Sequence, residues 1–236
     1  MKLSSPYLFI FFGAPGAGKG TQTLLIAEQH QLVRIEMSKL LGQKFRNAKE
    51  GEYIEIEGKR YVIAEQDERQ RKGFLCEAPF VSFLVQKKIQ EVYQMGESIV
   101  LDGFPRSVEQ IEFVFPFLLE KFGKEHIVVL YLDLEEQESI RRNTQRKMCE
   151  LMRHPILSHP ETEGLTICPL DGSRLIKRVD DNVEAMKVRF QEFRNQTLPL
   201  IPYLKKNGIP VHTVRAEQSV AEVFLDISKI LNDFIA

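Results

Sequence analysis

The chain alternates short apolar runs with longer stretches in which apolar residues recur at helical intervals. Tyr7 to Phe12, Tyr-Leu-Phe-Ile-Phe-Phe, is continuously apolar and aromatic, which is how a strand buried on both faces of a parallel sheet reads. Ser98 to Leu101, His126 to Leu132 and Ile209 to Val214 have the same character and predict further strands. Segments of helical spacing separate them, beginning with Thr21 to Gln31, where Leu24, Leu25 and Ala27 supply an apolar side. Strands that alternate with helices imply a parallel sheet covered on both sides, an α/β architecture in three layers.

Two stretches break this rhythm. Within Glu50 to Arg71, the run from Tyr53 to Ile63 alternates partially around Gly58 and predicts a β-hairpin. Cys149 to Arg174 is rich in Pro, His, Cys and Gly and shows no sustained apolar period. Each is expected to be a surface insert on the sheet. With 236 residues the chain can bury a proper core as one domain and still carry such appendages. It has no fixed-period repeat and no low-complexity tract, so solenoid and linker architectures are excluded.

Charge and cysteine content narrow the partners. Lys and Arg number 32 against 33 Asp and Glu, a formal net charge of −1, so no bulk attraction draws the chain to nucleic acid or to membranes. Any phosphate binding must come from local placement, and a monomer acting on small molecules is the expectation. The three cysteines, Cys76, Cys149 and Cys168, are an odd number in a chain too large to need disulfide staples, which points to a reducing, cytoplasmic compartment. The apolar run at Tyr7 to Phe12 is too short for a signal peptide or a membrane span.

The decapeptide Gly13-Ala14-Pro15-Gly16-Ala17-Gly18-Lys19-Gly20-Thr21-Gln22 lies between the first apolar strand and the first helix. Small residues there let backbone N–H groups converge on phosphate oxygens, and the helix N-terminus adds partial positive charge. Lys19 is placed to reach the outer phosphates. After the second strand comes Asp102-Gly103-Phe104-Pro105-Arg106, followed after three further residues by Gln110. Residues at the carboxyl ends of parallel strands line the ligand crevice. A guanidinium fork matches phosphate oxygens, an amide can donate and accept at a purine edge, and a carboxylate attracts magnesium.

Arg142 and Arg146 are four apart in a helical segment and project from one face. Beyond the second insert stand Arg178, Asp180, Asp181 and Arg189. Asp180 or Asp181 is the expected helix cap, and Val183, Met186, Phe190 and Phe193 form an apolar stripe that leaves Arg189 on another face. A cluster of cations suits phosphoryl transfer, which relies on positioning and on stabilising spread charge rather than on a side-chain nucleophile.

Gly-x-Pro-Gly-x-Gly-Lys-Gly-Thr, Asp-Gly-Phe-Pro-Arg with its following Gln, and the ordered arginines together resemble the adenylate kinases of the nucleoside monophosphate kinase family. The likeness covers most of the chain, strongest at 7–31, 98–110, 128–149 and 168–205. It implies a P-loop three-layer α/β/α fold with two mobile inserted subdomains. The core would comprise 1–35, 85–140 and 183–236, the monophosphate-binding arm 36–84 and the lid 141–182. The reaction implied is Mg·ATP plus AMP giving two ADP, with Mg2+ held largely through water. ATP would lie on Gly13, Ala14, Pro15, Gly16, Ala17, Gly18, Lys19, Gly20 and Thr21 with Arg142 and Arg146. AMP would lie against Met37, Cys76, Gly103, Arg106, Gln110, Arg178 and Arg189. Lys19, Arg106, Arg142, Arg146, Arg178 and Arg189 would gather at the transferring group, and Asp102 would order the metal's water shell. A kinase for UMP or CMP, and a nucleotide-binding relative with little turnover, stay open as alternatives.

Two departures from the family pattern matter. Cys149-x-x-Met152 and Cys168-x-x-Asp171 resemble the zinc-bearing lid of some bacterial members, but Met152 stands where a cysteine belongs. A structural Zn2+ on Cys149, His154, Cys168 and Asp171 is one reading, and a lid that has lost its metal is the other. The arm of typical members opens with Thr-Gly-Asp-x-Leu-Arg, whereas this chain has Met37-Ser38-Lys39-Leu40-Leu41-Gly42. The missing phosphate-binding arginine is worth about 1.5–3 kcal/mol unless another cation replaces it, and Lys39, Lys44, Arg46 or a basic residue of the hairpin could do so.

Overall fold

The computed structural model describes residues 5–152, 155–156, 160–177 and 181–235. The central sheet is built from β1 (Leu8–Gly13), β2 (Val33–Glu36), β5 (Ile99–Asp102), β6 (Ile127–Asp133) and β10 (Val211–Arg215). All pairings are parallel, in the order β10-β6-β1-β5-β2. Every residue of β1 is buried, as its unbroken apolar run requires for a strand with neighbours on each side. β2 was not among the expected strands. Its Val-Arg-Ile-Glu sequence carries only two apolar residues, because it is an edge strand and Arg34 and Glu36 are used elsewhere.

The helices are α1 (Lys19–His30), α2 (Met37–Arg46), α3 (Ile63–Arg71), α4 (Ala78–Gln94), α5 (Val108–Phe122), α6 (Glu136–Gln145), α7 (Pro160–Glu163), α8 (Val183–Glu192), α9 (Leu200–Lys206) and α10 (Val220–Ile235). A π-helical turn, Phe193–Thr197, extends α8. The chain leaves β1 towards β2 in one direction and returns from β2 through β5 and β6 in the other. Right-handed crossovers then set α1 on one face and α4 and α5 on the opposite face, and in accord α1 packs with α10 while α4 packs with α5. The order reverses between β1 and β5, where a ligand crevice is expected in an open α/β sheet.

The two inserts form small separate sheets. β3 (Tyr53–Ile56) and β4 (Lys59–Val62) pair antiparallel through Glu57 and Gly58, both at positive φ, the geometry of a tight hairpin turn. β7 (Lys147–Cys149), β8 (Pro155–Ile156) and β9 (Leu175–Ile176) form a three-stranded sheet in the order β8-β7-β9. α4 and α6 run unbroken through positions 84/85 and 140/141, so two of the four expected subdomain boundaries fall inside helices. α8 is capped by Asn182, whose side chain accepts from the Ala185 N–H. Asp181 is therefore not the cap, and Asp180 lies outside the described residues. Of the expected α8 stripe, Met186, Phe190 and Phe193 are buried while Val183 is exposed.

Candidate active site

The glycine-rich loop follows β1 and opens α1. Gly18 takes the N-cap position with φ 85°, a left-handed conformation that costs glycine nothing. The first N–H groups of a helix have no intrahelical acceptor, so they stand ready for an anion. The Lys19 ammonium folds back over the loop and donates to the Gly13 and Ala14 carbonyls, both at 2.8 Å. Thr21 follows on the first turn. The underside of the loop rests on α6. The Ser139 hydroxyl donates to the Pro15 carbonyl at 2.7 Å, and a Cβ on Gly16 would lie 2.4 Å from Asn143 Nδ2. Only glycine permits so close an approach.

Burial pushes the Lys19 pKa down to about 7, aided by the charges of Arg106, Arg189 and Arg146 and opposed by Asp102. These arginines come from different parts of the chain, after β5, from α8 and from the end of α6, yet all act on one half-buried ammonium. Each is anchored. The Arg106 Nε donates to the Gly103 carbonyl at 2.9 Å, and its own carbonyl accepts from Thr197. Arg146 donates through Nε and Nη2 to the two oxygens of Asp181, at 2.7 and 2.8 Å. Arg189 Nη1 lies 3.7 Å from Asp181 Oδ1. The Asp181 side chain is only 1% exposed, so it is the shared counter-ion of two arginines, a role its position before α8 does not reveal. Arg142 turns to Glu138, one helical turn back, at 2.7 Å. Arg141 and Arg142 hold that carboxyl down at about pKa 2 against its burial. Arg178 lies outside the described residues.

A second cleft adjoins this cluster. Met37, Leu41, Gln70, Phe74, Leu75, Cys76, Val81, Gly103, Arg106 and Gln110 line it, and it encloses about 310 Å³ including its open mouth. Met37, Cys76, Gly103, Arg106 and Gln110, five of the seven residues expected at the acceptor nucleotide, thus share one cavity; Arg189 does not line it. The Gln110 side-chain carbonyl accepts from the Arg106 N–H at 2.7 Å, leaving its amino group as the end available for hydrogen bonding. Burial pushes the Cys76 thiol up to about 11, against the nearby Arg106 and Arg69 charges. The thiol is therefore an apolar lining group rather than a nucleophile.

Asp102 ends β5 beside the loop, in register with Phe11 of β1 and Glu36 of β2. Its Oδ2 lies 3.6 Å from where a Gly20 Cβ would stand, and it pairs with Arg34. Arg34 went unnoticed in the sequence. The only signal was a basic residue two positions before an acidic one at the end of a short strand.

In the 147–176 insert, ligand atoms of Cys149, Cys168 and Asp171 lie within 4.8 Å of one another. Asp171 Oδ1 accepts from the Ser173 N–H and hydroxyl, and Oδ2 lies 3.0 Å from Cys149 Sγ. Met152 is 63% exposed and outside this cluster, and His154 lies outside the described residues. In the arm, Lys39 pairs with Glu36, Lys44 with Glu52, Lys59 with Glu77 and Arg60 with Glu55. Arg46 has no hydrogen bond or ion pair among the described residues, and its Nη1 lies 3.3 Å from where a Gly42 Cβ would stand. Its guanidinium thus covers the position of the absent arginine.

A family model described as adenylate kinase matches residues 11–209. The chain is 35% identical over 226 residues to the adenylate kinase of Clostridium botulinum (strain Hall), covering 94% of this chain and 97% of that one. It is 30% identical over 227 residues to the adenylate kinase of Methanosarcina barkeri, covering 95% and 98%. The adenylate kinase of Petrotoga mobilis is 29% identical over 229 residues, covering 95% and 97%.

Proposed function

Because this chain belongs to the adenylate kinase family, and so transfers a phosphoryl group between ATP and AMP, we propose that the transfer occurs between the Lys19 loop and the Gln110 cleft. One observation carries that assignment: Arg106, Arg146 and Arg189 press on a half-buried lysine beside exposed helix-terminal amides. Cations gathered from three parts of the chain around one partly buried place match a polyanion bound between them.

In this reading the phosphates of ATP lie on the N–H groups of Gly13 to Thr21, with Lys19 exchanging its loop carbonyls for phosphate oxygens. Arg142 and Arg146 leave Glu138 and Asp181 to reach the same charge. Arg106, Arg189 and Arg178 hold the transferring group in line with the acceptor. The base of AMP lies between Met37, Cys76 and Gly103, with the Gln110 amino group donating to a ring nitrogen. Its phosphate meets Arg106 and Arg46, an arm cation with no carboxylate partner among the described residues. No side-chain nucleophile is required, so closing the arm over AMP and the lid over ATP serves to keep water from competing for the phosphoryl group.

Adenylate kinases use Mg2+ with ATP, and the donors present fit it. Asp102 is a hard oxygen donor at the strand end nearest the loop, and Thr21 offers a hydroxyl on the first turn of α1. Bound with ATP, the metal would offset charge on the phosphates. The lid cluster of two thiols and a carboxylate fits a structural Zn2+, with His154 as the expected fourth ligand. Among the described residues no helix is long and apolar enough to cross a membrane, and the cysteines are free thiols. The free thiols support a reading of the chain as a cytoplasmic protein acting on ATP and AMP.

The test is ADP formation from Mg·ATP with AMP, UMP, CMP or GMP as acceptor. AMP is expected to be preferred by orders of magnitude. Comparable turnover of UMP or CMP would make this a kinase for those monophosphates, and ATP binding without AMP-dependent turnover would sink the site assignment.

A further inference from the structure

Arg34 and Glu36 stand two apart on β2, so their side chains emerge on one face, and the register sets Glu36 directly beside Asp102. The Arg34 guanidinium occupies the space between the two carboxylates. Nη2 donates to Asp102 Oδ2, Nη1 lies 3.1 Å from Glu36 Oε2, and Nε donates to Thr23 Oγ1 on α1 at 2.9 Å. Nη2 also stands 3.5 Å from where a Gly20 Cβ would be, and the Thr23 hydroxyl donates in turn to the Gly20 carbonyl. Fixed on three sides and only 16% exposed, this side chain is a permanent positive charge under the second half of the phosphate loop. Burial works to raise the Glu36 carboxyl, but Ser38, Lys39 and Arg34 outweigh it and hold it ionised.

We propose that Arg34 is a positioning residue that acts through Asp102: it holds this carboxylate in place and weakens the coupling between ATP binding and Mg2+ binding. The proposal rests on the reading that Asp102 faces the metal. A carboxylate that shares its charge with a fixed guanidinium attracts a hydrated dication less, and a neighbouring cation repels that dication directly. The same guanidinium cancels the repulsion that a bare Asp102 would exert on metal-free ATP. Both effects bring the affinities for ATP with and without metal closer together.

The experiment measures the Kd of ATP calorimetrically, on the intact protein, in EDTA and in saturating Mg2+, and takes the ratio. Arg34→Gln is expected to raise that ratio on the order of tenfold, what one nearby charge is worth in partly wet surroundings. Arg34→Lys, which keeps the charge but loses the fork, is expected to fall between the parent and Arg34→Gln. Arg34→Gln with a lower Tm and an unchanged ratio would reduce Arg34 to a structural strap and overturn the proposal. Arg34→Lys matching Arg34→Gln would overturn it as well. Asp102→Asn separates the two levels of the argument, because it should lower the ratio if Asp102 faces the metal. An unchanged ratio there removes the metal assignment together with this proposal. A lowered ratio there, with no response to Arg34→Gln, removes the proposal alone.

Discussion

Lys19 shows how a single residue can report on its site. Its pKa near 7 in the nucleotide-free protein compares with an ordinary 10.5, which the unfolded chain should approach. Below about 7 the lysine is charged in both states and its burial cost is fully present. Between the two values the unfolded state holds more protons, so the Lys19 contribution to stability rises with pH across that window. Phosphate oxygens reverse the depression, so ATP binding at pH 8 should take up close to one proton. Calorimetry in buffers of different ionisation enthalpy reads this directly; no uptake, or equal uptake by Lys19→Met, would contradict it. Arg46 gives a second prediction. Arg46→Ala should raise the KM for AMP by about ten- to a hundredfold with little change for ATP, and adding Gly42→Arg should restore it, since the vacated guanidinium leaves room. An unchanged KM in Arg46→Ala excludes the residue. Lys19, Asp102, Arg106 and Gln110 were legible because each sits in a contiguous motif. Arg34 and Asp181 were not, because their partners are distant in sequence and only folding brings Asp102 to one and Arg146 to the other.

At the scale of elements, strands buried on both faces announced themselves through unbroken apolar runs, and the hairpin through alternation around Gly58. The strand β2 stayed hidden because it is only four residues long and its two polar positions are committed to ion pairs. The hairpin is tied to the acceptor cleft by Glu77, which precedes α4 and follows Cys76. Lys59 of β4 reaches one Glu77 oxygen at 2.7 Å and Gln66 of α3 the other at 2.9 Å. The lid makes a firmer prediction. With Cys149, Cys168 and Asp171 converged, the purified protein should carry about one zinc per chain, and a chelator strong enough to strip it should lower the Tm. Cys168→Ser should lose both the metal and the chelator response. A metal-free wild-type lid with the same Tm in chelator would favour the alternative of a lid held by packing alone.

For the whole molecule, the sheet supplies rigidity and the site borrows it. β1 lies between β6 and β5 with every side chain buried, so the loop that follows it has a fixed origin. Ile10→Ala, at a position 1% exposed, should cost roughly 2–5 kcal/mol of stability. The loss would appear as a lower denaturant midpoint with substrate KM values nearly unchanged, and a large KM change would mean that the strand moves with the site. Between the rigid parts, the cations are stored on internal carboxylates, Arg142 on Glu138 and Arg146 on Asp181, where they stay close to the site without repelling one another apart. One joint links the two regimes. The hydroxyl of Ser139 ties α6 to the Pro15 carbonyl, and the Asn143 side chain packs against Gly16; α6 is followed directly by the 147–176 sheet. The helix leading into the 147–176 sheet is thus fastened to the floor of the cradle, so a displacement of the loop would be passed along α6 to the base of that sheet.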